Sequence, residues 1–483
     1  MADEVELKLA LTVDAADLIV ASGVLPLNST TASQRSIYFD TPTHMLHEAG
    51  LTLRIRRSKG KRIQTVKADG ASAAGLFARS EWERPVKNDV PILDDTTPIR
   101  ALIGTVDVAP LFEVRVERRT WEIRDEDSLI EVVLDQGHVT TQGRQSPICE
   151  IELELKQGDP NALFTLARRL DQIAPVRLGV LAKSERGYRL TGPPAMAFKA
   201  ERVKLNDELN AAQAFQYIVQ MCVRQFRLNE AVLLEQRNAE ALHQARVAIR
   251  RLRSAFSIFG PLCNHEGELP LREGLKTLAS ELGDARNLDV LLERSNAGPL
   301  QNRLATARED AYGRVEVALA SPHVRALMLD LAQWTSSGTW LCEPGTQKLR
   351  EGPVHEFAGG VLSHLRRRVK KDGRGLAKAS DAVRHELRKD AKKLHYATEF
   401  FVTLFDRKKQ KRRQRVFIVA LEELQDKLGL LNDLATAPLV LDALGLADDP
   451  DAAALLGKGN KRKLIAAAVD VHDALVDAKP FWR

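Results

Sequence analysis

The hydrophobic periodicity of this chain changes once, at the paired prolines Pro193 and Pro194, and that change divides its 483 residues into two folding problems. Upstream, SIYFD, LTLRIRR, RIQTVK, LFEVRVERRTWEI, LIEVVLD and CEIELELK alternate apolar and polar residues with period two, bounded by Gly, Asp and Asn turn signals. This is the pattern of half-buried β-strands. Helical spacing intrudes only at DAADLIVASGVL and PNALFTLARRLDQI. Downstream, from about residue 206, an Ala-, Leu-, Arg- and Glu-rich stretch repeats its apolar positions every 3.6 residues, as packed amphipathic helices do. The expectation is a multidomain α+β protein, with a strand-rich domain over 1–198, a linker over 199–205 and an all-α domain over 206–483.

Within the strands the polar positions are ionic. In EVELK at 4–8, Val5 and Leu7 face one way and Glu4, Glu6 and Lys8 the other, because positions two apart share a side of a sheet. Arg54 and Arg56 stand opposite Leu53 and Ile55, Lys67 shares a face with Thr65, and Glu150, Glu152 and Glu154 alternate with Ile151 and Leu153. One such strand alone is the wet face of an ordinary antiparallel sheet. Both signs of charge recurring across the domain point to faces that converge. If the sheet closes, they line a tunnel in which Arg and Lys bind phosphate oxygens and carboxylates bind the divalent cations that neutralise those phosphates.

An ordered series of short motifs adds a resemblance. EVELK is similar to the ExExK signature of the CYTH superfamily, the triphosphate tunnel metalloenzymes. YFDT at 38–41, LRIR at 53–56, TVK at 65–67, RSEWE at 79–83, ERRTW at 117–121, LD at 134–135, CEIELE at 149–154 and AKSERGY at 182–188 follow in that family's order. The resemblance covers roughly residues 1–195 and implies an eight-stranded antiparallel tunnel barrel with flanking helices that hydrolyses a linear triphosphate with Mg²⁺ or Mn²⁺. It implies phosphate binding by Lys8, Arg54, Arg56, Lys67, Arg118 and Lys183. Metal binding falls to Glu4, Glu6, Asp135, Glu150, Glu152 and Glu154, with Glu81 a further acidic candidate. Arg118 and Arg119 are adjacent and must point oppositely, and the motif match selects Arg118. Phosphoryl transfer needs positioning and charge neutralisation more than a nucleophilic side chain, so Glu4, Glu6 and Lys8 are read as catalytic, with Glu4 or Glu6 orienting the attacking water.

The helical half repeats itself. HQARVAIRRLR at 243–253 aligns with HELRKDAKKLH at 385–395, and LASELGDARNLD at 278–289 with LQDKLGLLNDLA at 424–435. The spacing places His243, Arg246 and Arg250 on one helical stripe and His385, Arg388 and Lys392 on another. Two such stripes facing each other make a groove for a long polyanion. The blocks, with their LG pairs read as turns, resemble the CHAD domain, a conserved-histidine helical family that binds inorganic polyphosphate. The resemblance spans about residues 206–483. It implies a duplicated helical bundle and polyphosphate contacts from His243, Arg246, Arg250, Arg251, Arg253, His385, Arg388, Lys392 and Lys393.

Charge follows the same division. Residues 1–200 hold 26 Lys/Arg against 28 Asp/Glu, so the remainder, 45 against 37, carries the basic excess. A nucleic-acid partner is disfavoured, since Trp334, Trp340 and Trp482 are the only tryptophans of the helical half and no reader motif occurs. Cys149, Cys222, Cys263 and Cys342 lack CxxC spacing, and no run of about 18 apolar residues is present, so a soluble, cytoplasmic protein without a membrane partner is expected, with association to polyphosphate granules conceivable. The preferred function is inorganic triphosphatase. The alternatives are a non-catalytic polyphosphate-binding or granule-associated protein, or a tunnel enzyme acting on an organic triphosphate in the manner of adenylyl cyclase or thiamine triphosphatase. Oligomeric state is not written in any motif.

Overall fold

Eight strands of five or more residues form where the sequence alternates: Val5–Ala10, Thr30–Asp40, Leu51–Ser58, Lys61–Ala68, Glu81–Pro85, Ala109–Asp125, Ser128–Thr141 and Arg144–Gln157. The structure is a computed structural model that describes residues 5–68, 72–73, 76–77, 81–125, 127–263, 267–296, 298–452 and 461–483. Three two-residue strands, Ser72–Ala73, Leu76–Phe77 and Arg177–Leu178, extend the sheet to eleven. From one end its order runs Ser72–Ala73, Leu76–Phe77, Val5–Ala10, Arg144–Gln157, Ser128–Thr141, Ala109–Asp125, Thr30–Asp40, Leu51–Ser58, Lys61–Ala68 and Glu81–Pro85, every pairing antiparallel. The eight long strands follow a curled path, the tunnel fold that the sequence leads one to expect. Its two ends are not hydrogen-bonded to each other among the described residues, yet strands from both ends line one cavity.

The chain divides into two compact units, Met1–Met196 with Pro322–Ser337, and Ala197–Ser321 with Gly338–Arg483. In the first, the sheet's outer face is apolar and covered. Leu53, Ile55 and Val66 pack with Leu46, Ile99 and Ile103 of two short helices, while Leu163, Phe164 and Leu170 of helix Asn161–Ile173 are fully buried. The helix Pro322–Ser337, embedded in sequence within the helical half, belongs here. Arg325 donates to Asp171 at 2.6 Å, Arg168 to Asp330 at 2.6 Å, and Gln333 to Asn161 at 2.8 Å. Amphipathic spacing marks such a segment as a helix but does not say which core takes its apolar face.

Asp40 of the YFDT motif organises the approach to the tunnel. Its carboxylate accepts from the backbone of Thr41, Leu46 and His47 and from the Tyr188 hydroxyl at 2.8 Å, which ties the turn after its strand to helix Lys183–Thr191. That helix also needs Gly187. A methyl group there would stand 2.1 Å from the Phe112 ring, which stacks on Tyr38 at 4.7 Å. Gly187→Ala should cost about 1–3 kcal/mol through overpacking and lower the first thermal transition of the chain, read by circular dichroism.

The second unit holds the helices Ala211–Glu235 and Val354–Asp372 and the four that carry the repeated blocks, Ala239–Ile258, Glu268–Arg294, Asp381–Phe401 and Lys408–Ala443. Asn210, Asn238 and Ser380 cap their helices by accepting from the backbone three residues on. Phe215, Phe256, Phe259, Phe401 and Trp340 form an aromatic core. The LG pairs are not turns. Gly283 and Gly429 lie inside Glu268–Arg294 and Lys408–Ala443, and Gly283 is the bare surface against which the Arg246 guanidinium lies. No helix among the described residues is long and apolar enough to cross a membrane.

Candidate active site and basic groove

The tunnel cavity of the first unit measures about 340 Å³ and is lined by the polar faces of the long strands. Strand register sorts the charges. Arg118, Asp135 and Glu150 stand in one row across three neighbouring strands, and Glu152 stands opposite Lys8 in another. Arg118 donates to Asp135 at 2.8 Å and to Glu152 at 3.2 Å, whereas Arg119 stands on the other face over Trp121. Lys8 donates to Glu150 at 3.1 Å and also bonds Glu152. Lys183, the first residue of its helix, donates to Glu150 at 2.5 Å and Glu152 at 2.9 Å and lies 2.7 Å from Asp135. The opposite wall is cationic: Arg54 and Arg56 line the cavity with Lys67, which pairs with Glu81 at 2.8 Å.

These surroundings move the titrations as electrostatics requires. Burial works against each carboxylate charge, but Lys183 and Lys8 outweigh it and hold Glu152 well below the usual range and Glu150 below it. Lys183 and Arg118 do the same for Asp135. Lys8 and Lys183 are burdened by burial yet raised by Glu150 and Glu152. Glu6 goes the other way, pushed up by burial and by Glu152. Arg56 falls to about 10 through burial and the neighbouring Arg54 and Arg118. This wall carries positive charge in excess of its partners.

Asp135, Glu150 and Glu152 offer oxygens within 4.8 Å of one another. Hard carboxylate oxygens at that spacing suit Mg²⁺ or Mn²⁺, and Glu150 Oε2 is buried without a hydrogen bond, so the donor set fits such an ion. Glu6 and Glu154, the other expected ligands among the described residues, line the same cavity outside the carboxylate trio, and Glu154 bonds Lys156. Glu4, and Arg79 and Ser80 of the RSEWE motif, lie outside the described residues.

In the second unit, helices Ala239–Ile258 and Asp381–Phe401 pack together and bring the two stripes into one field. Burial and then Arg250, Arg388 and Arg286 lower Arg246 to about 10, and burial with Arg250, Arg388 and Arg246 lowers Lys392 to about 7. The Nε–H groups of Arg250 and Arg388 are buried without a partner. His243 is lowered by burial and Arg286, and His385 contacts Asn432 through Nδ1 at 2.8 Å. Arg253 is exposed. Arg251 leaves the groove. It is 1% exposed, donates to Gln225 at 3.0 Å and pairs with Glu399 at 2.9 Å, since one residue beyond Arg250 turns a helix by about 100°. Lys393 likewise turns toward Asp390, 4.0 Å away.

Comparison with known proteins matches a different family to each half of the chain. The CYTH domain family matches residues 2–188 and the CHAD domain family residues 217–442. The chain is a CYTH domain followed by a CHAD domain. It is 28% identical over 203 residues to the inorganic triphosphatase of Haemophilus influenzae, a match spanning 39% of this chain and 55% of that protein, so the chain spans about half the length of that curated relative. Among solved structures, the CHAD domain from Ricinus communis is 28% identical, with a TM-score of 0.49 over 59% of this chain and 97% of that one. A Hippeastrum protein, described under an adenylyl cyclase name with a dominant triphosphatase activity, is 19% identical, with a TM-score of 0.30 over 38% of this chain and 93% of that one.

Sequence reasoning missed three side chains at these sites. Tyr38 lines the CYTH cavity, its hydroxyl lowered by Arg54 despite burial, and the period-two run Gln34, Ser36, Tyr38 was the available signal. Arg186 approaches Glu150 at 3.6 Å from the turn after Lys183. In the CHAD domain, Arg286 adds its charge beside His243 and Arg246, from a segment read for its repeat alone.

Proposed function

We propose that the CYTH domain hydrolyses inorganic triphosphate to pyrophosphate and phosphate with Mg²⁺ or Mn²⁺, and that the CHAD domain binds inorganic polyphosphate. One observation carries the enzymatic reading: a single cavity joins an under-neutralised guanidinium wall, Arg54 and Arg56, to a carboxylate trio. Arg54, Arg56 and Lys67 would grip the phosphate oxygens, and Asp135, Glu150 and Glu152 would hold the metal. The bound ion would supply charge neutralisation at the reacting phosphate. Glu6, the carboxyl that burial and Glu152 make the more basic, would orient a water and take its proton. Tyr38 is the only aromatic side chain among the described lining residues, so the cavity offers a nucleobase or thiamine ring little to stack on, which favours an inorganic substrate. Assaying tripolyphosphate, long-chain polyphosphate, ATP and thiamine triphosphate with each metal tests this. Tripolyphosphate should give the highest kcat/KM, and a clear preference for ATP or thiamine triphosphate would overturn the inorganic assignment.

Polyphosphate binding is supported by the unpartnered Arg250 and Arg388 donors and the depressed Lys392. Such binding would hold the chain on cytoplasmic polyphosphate granules. Because the free Lys392 has a pKa of about 7, it is mostly neutral at pH 8 and mostly charged at pH 6, and a bound polyanion favours the charged form. Affinity for long-chain polyphosphate should therefore tighten as pH falls from 8 to 6, by up to about tenfold for this one proton. Lys392→Met should flatten that profile in a fluorescence titration.

A further inference from the structure

Lys183 and the divalent cation claim the same three carboxylates. The lysine Nζ sits 2.7 Å from Asp135 Oδ2, 2.5 Å from Glu150 Oε1 and 2.9 Å from Glu152 Oε1, and these three residues are the ones whose carboxylates converge within 4.8 Å. Two of the ammonium's three N–H donors go to Glu150 and Glu152, and Asp135 closes on it as an ion pair, so carboxylates engage it on three sides. A small divalent cation needs carboxylate oxygens at about 2.0–2.6 Å, within the space this nitrogen occupies, and the two positive charges would repel strongly at such a separation. Both cannot be seated at once.

We propose that the Lys183 ammonium fills the metal seat of the metal-free CYTH domain and gives it up when the divalent cation binds, turning onto the phosphate oxygens of the substrate. This deepens the triphosphatase reading and rests on it. Lys183 is the residue suited to exchange. It opens helix Lys183–Thr191 and already lines the cavity, on a flexible four-carbon stem. Lys8 is held in place: its carbonyl accepts from Gly179 at 2.7 Å, and Gly179 packs so closely that an added methyl group would stand 2.6 Å from Lys8 Cγ. Charge balance points the same way. Glu6, Asp135, Glu150 and Glu152 face Lys8, Arg118 and Lys183, so the site is near neutrality without metal, and two further positive charges leave an excess that an anionic triphosphate relieves. Metal and triphosphate thus bind cooperatively, with Lys183 as the link.

The test is Mn²⁺ binding to the full chain, followed by calorimetry with and without a non-hydrolysable imido analogue of tripolyphosphate. The unsubstituted chain should bind Mn²⁺ weakly alone and at least about tenfold more tightly with the analogue. Lys183→Met should bind Mn²⁺ alone at least about tenfold more tightly than the unsubstituted chain and gain less from the analogue. Equal or weaker Mn²⁺ binding by a folded Lys183→Met chain overturns the exchange. A structure of the unsubstituted chain with Mn²⁺ and no triphosphate gives a second reading that needs no variant: Nζ should have left the three oxygens, and an Nζ still bonded to all three overturns the proposal. If the unsubstituted chain hydrolyses tripolyphosphate while either overturning result is obtained, only the exchange fails. If it neither binds Mn²⁺ nor releases phosphate, the triphosphatase reading falls with it.

Discussion

A Glu152→Gln chain should release phosphate from tripolyphosphate at least about 10³-fold more slowly than the unsubstituted chain, with the loss mainly in kcat. The substitution keeps the volume and one acceptor but removes the charge on which Lys8, Lys183 and Arg118 all converge. Three cations then share the two remaining carboxylates of the trio, and the metal loses a ligand. A merely structural role for Glu152 would instead show as a lowered melting temperature with kcat preserved in the folded fraction. Phosphate release measured alongside a thermal melt separates the two.

The second large effect is expected in the CHAD domain. Neutralising Arg246 and Arg388 together, each to Gln, should weaken long-chain polyphosphate binding by about 10²-fold at low salt. It should also reduce the slope of log affinity against log salt by about two, following the counterion logic of nucleic-acid binding. The residues sit on the two repeat helices, and Arg246 feels Arg388 directly. Arg251→Gln, by contrast, should destabilise the fold while leaving that slope unchanged, because its guanidinium is spent on Glu399 and Gln225 in the core.

What the sequence made legible is what periodicity determines. Alternation fixes that Glu6, Lys8, Arg54 and Arg56 share polar faces, and the structure puts them around one cavity. Alternation does not fix register. That Arg118, Asp135 and Glu150 form one row, while Glu152 stands opposite Lys8 in another, follows from which residues pair across four strands. In the helices, treating Arg250 and Arg251 as a pair ignored the turn between adjacent residues that sends one to the groove and one to the core. Gly283 and Gly429 looked like turns because glycine usually breaks helices, whereas both sit mid-helix, Gly283 against the Arg246 guanidinium. Helix Pro322–Ser337 shows a limit of another kind, since its apolar stripe is plain in the sequence but its partner, helix Asn161–Ile173, is not.

The most direct test of the charged tunnel is the stoichiometry and metal dependence of tripolyphosphate cleavage by the full chain. With Mg²⁺ or Mn²⁺, one phosphate and one pyrophosphate should appear per substrate consumed, and a chelator should stop the reaction reversibly. Turnover that persists undiminished in chelator, or no turnover with either metal, would contradict the account.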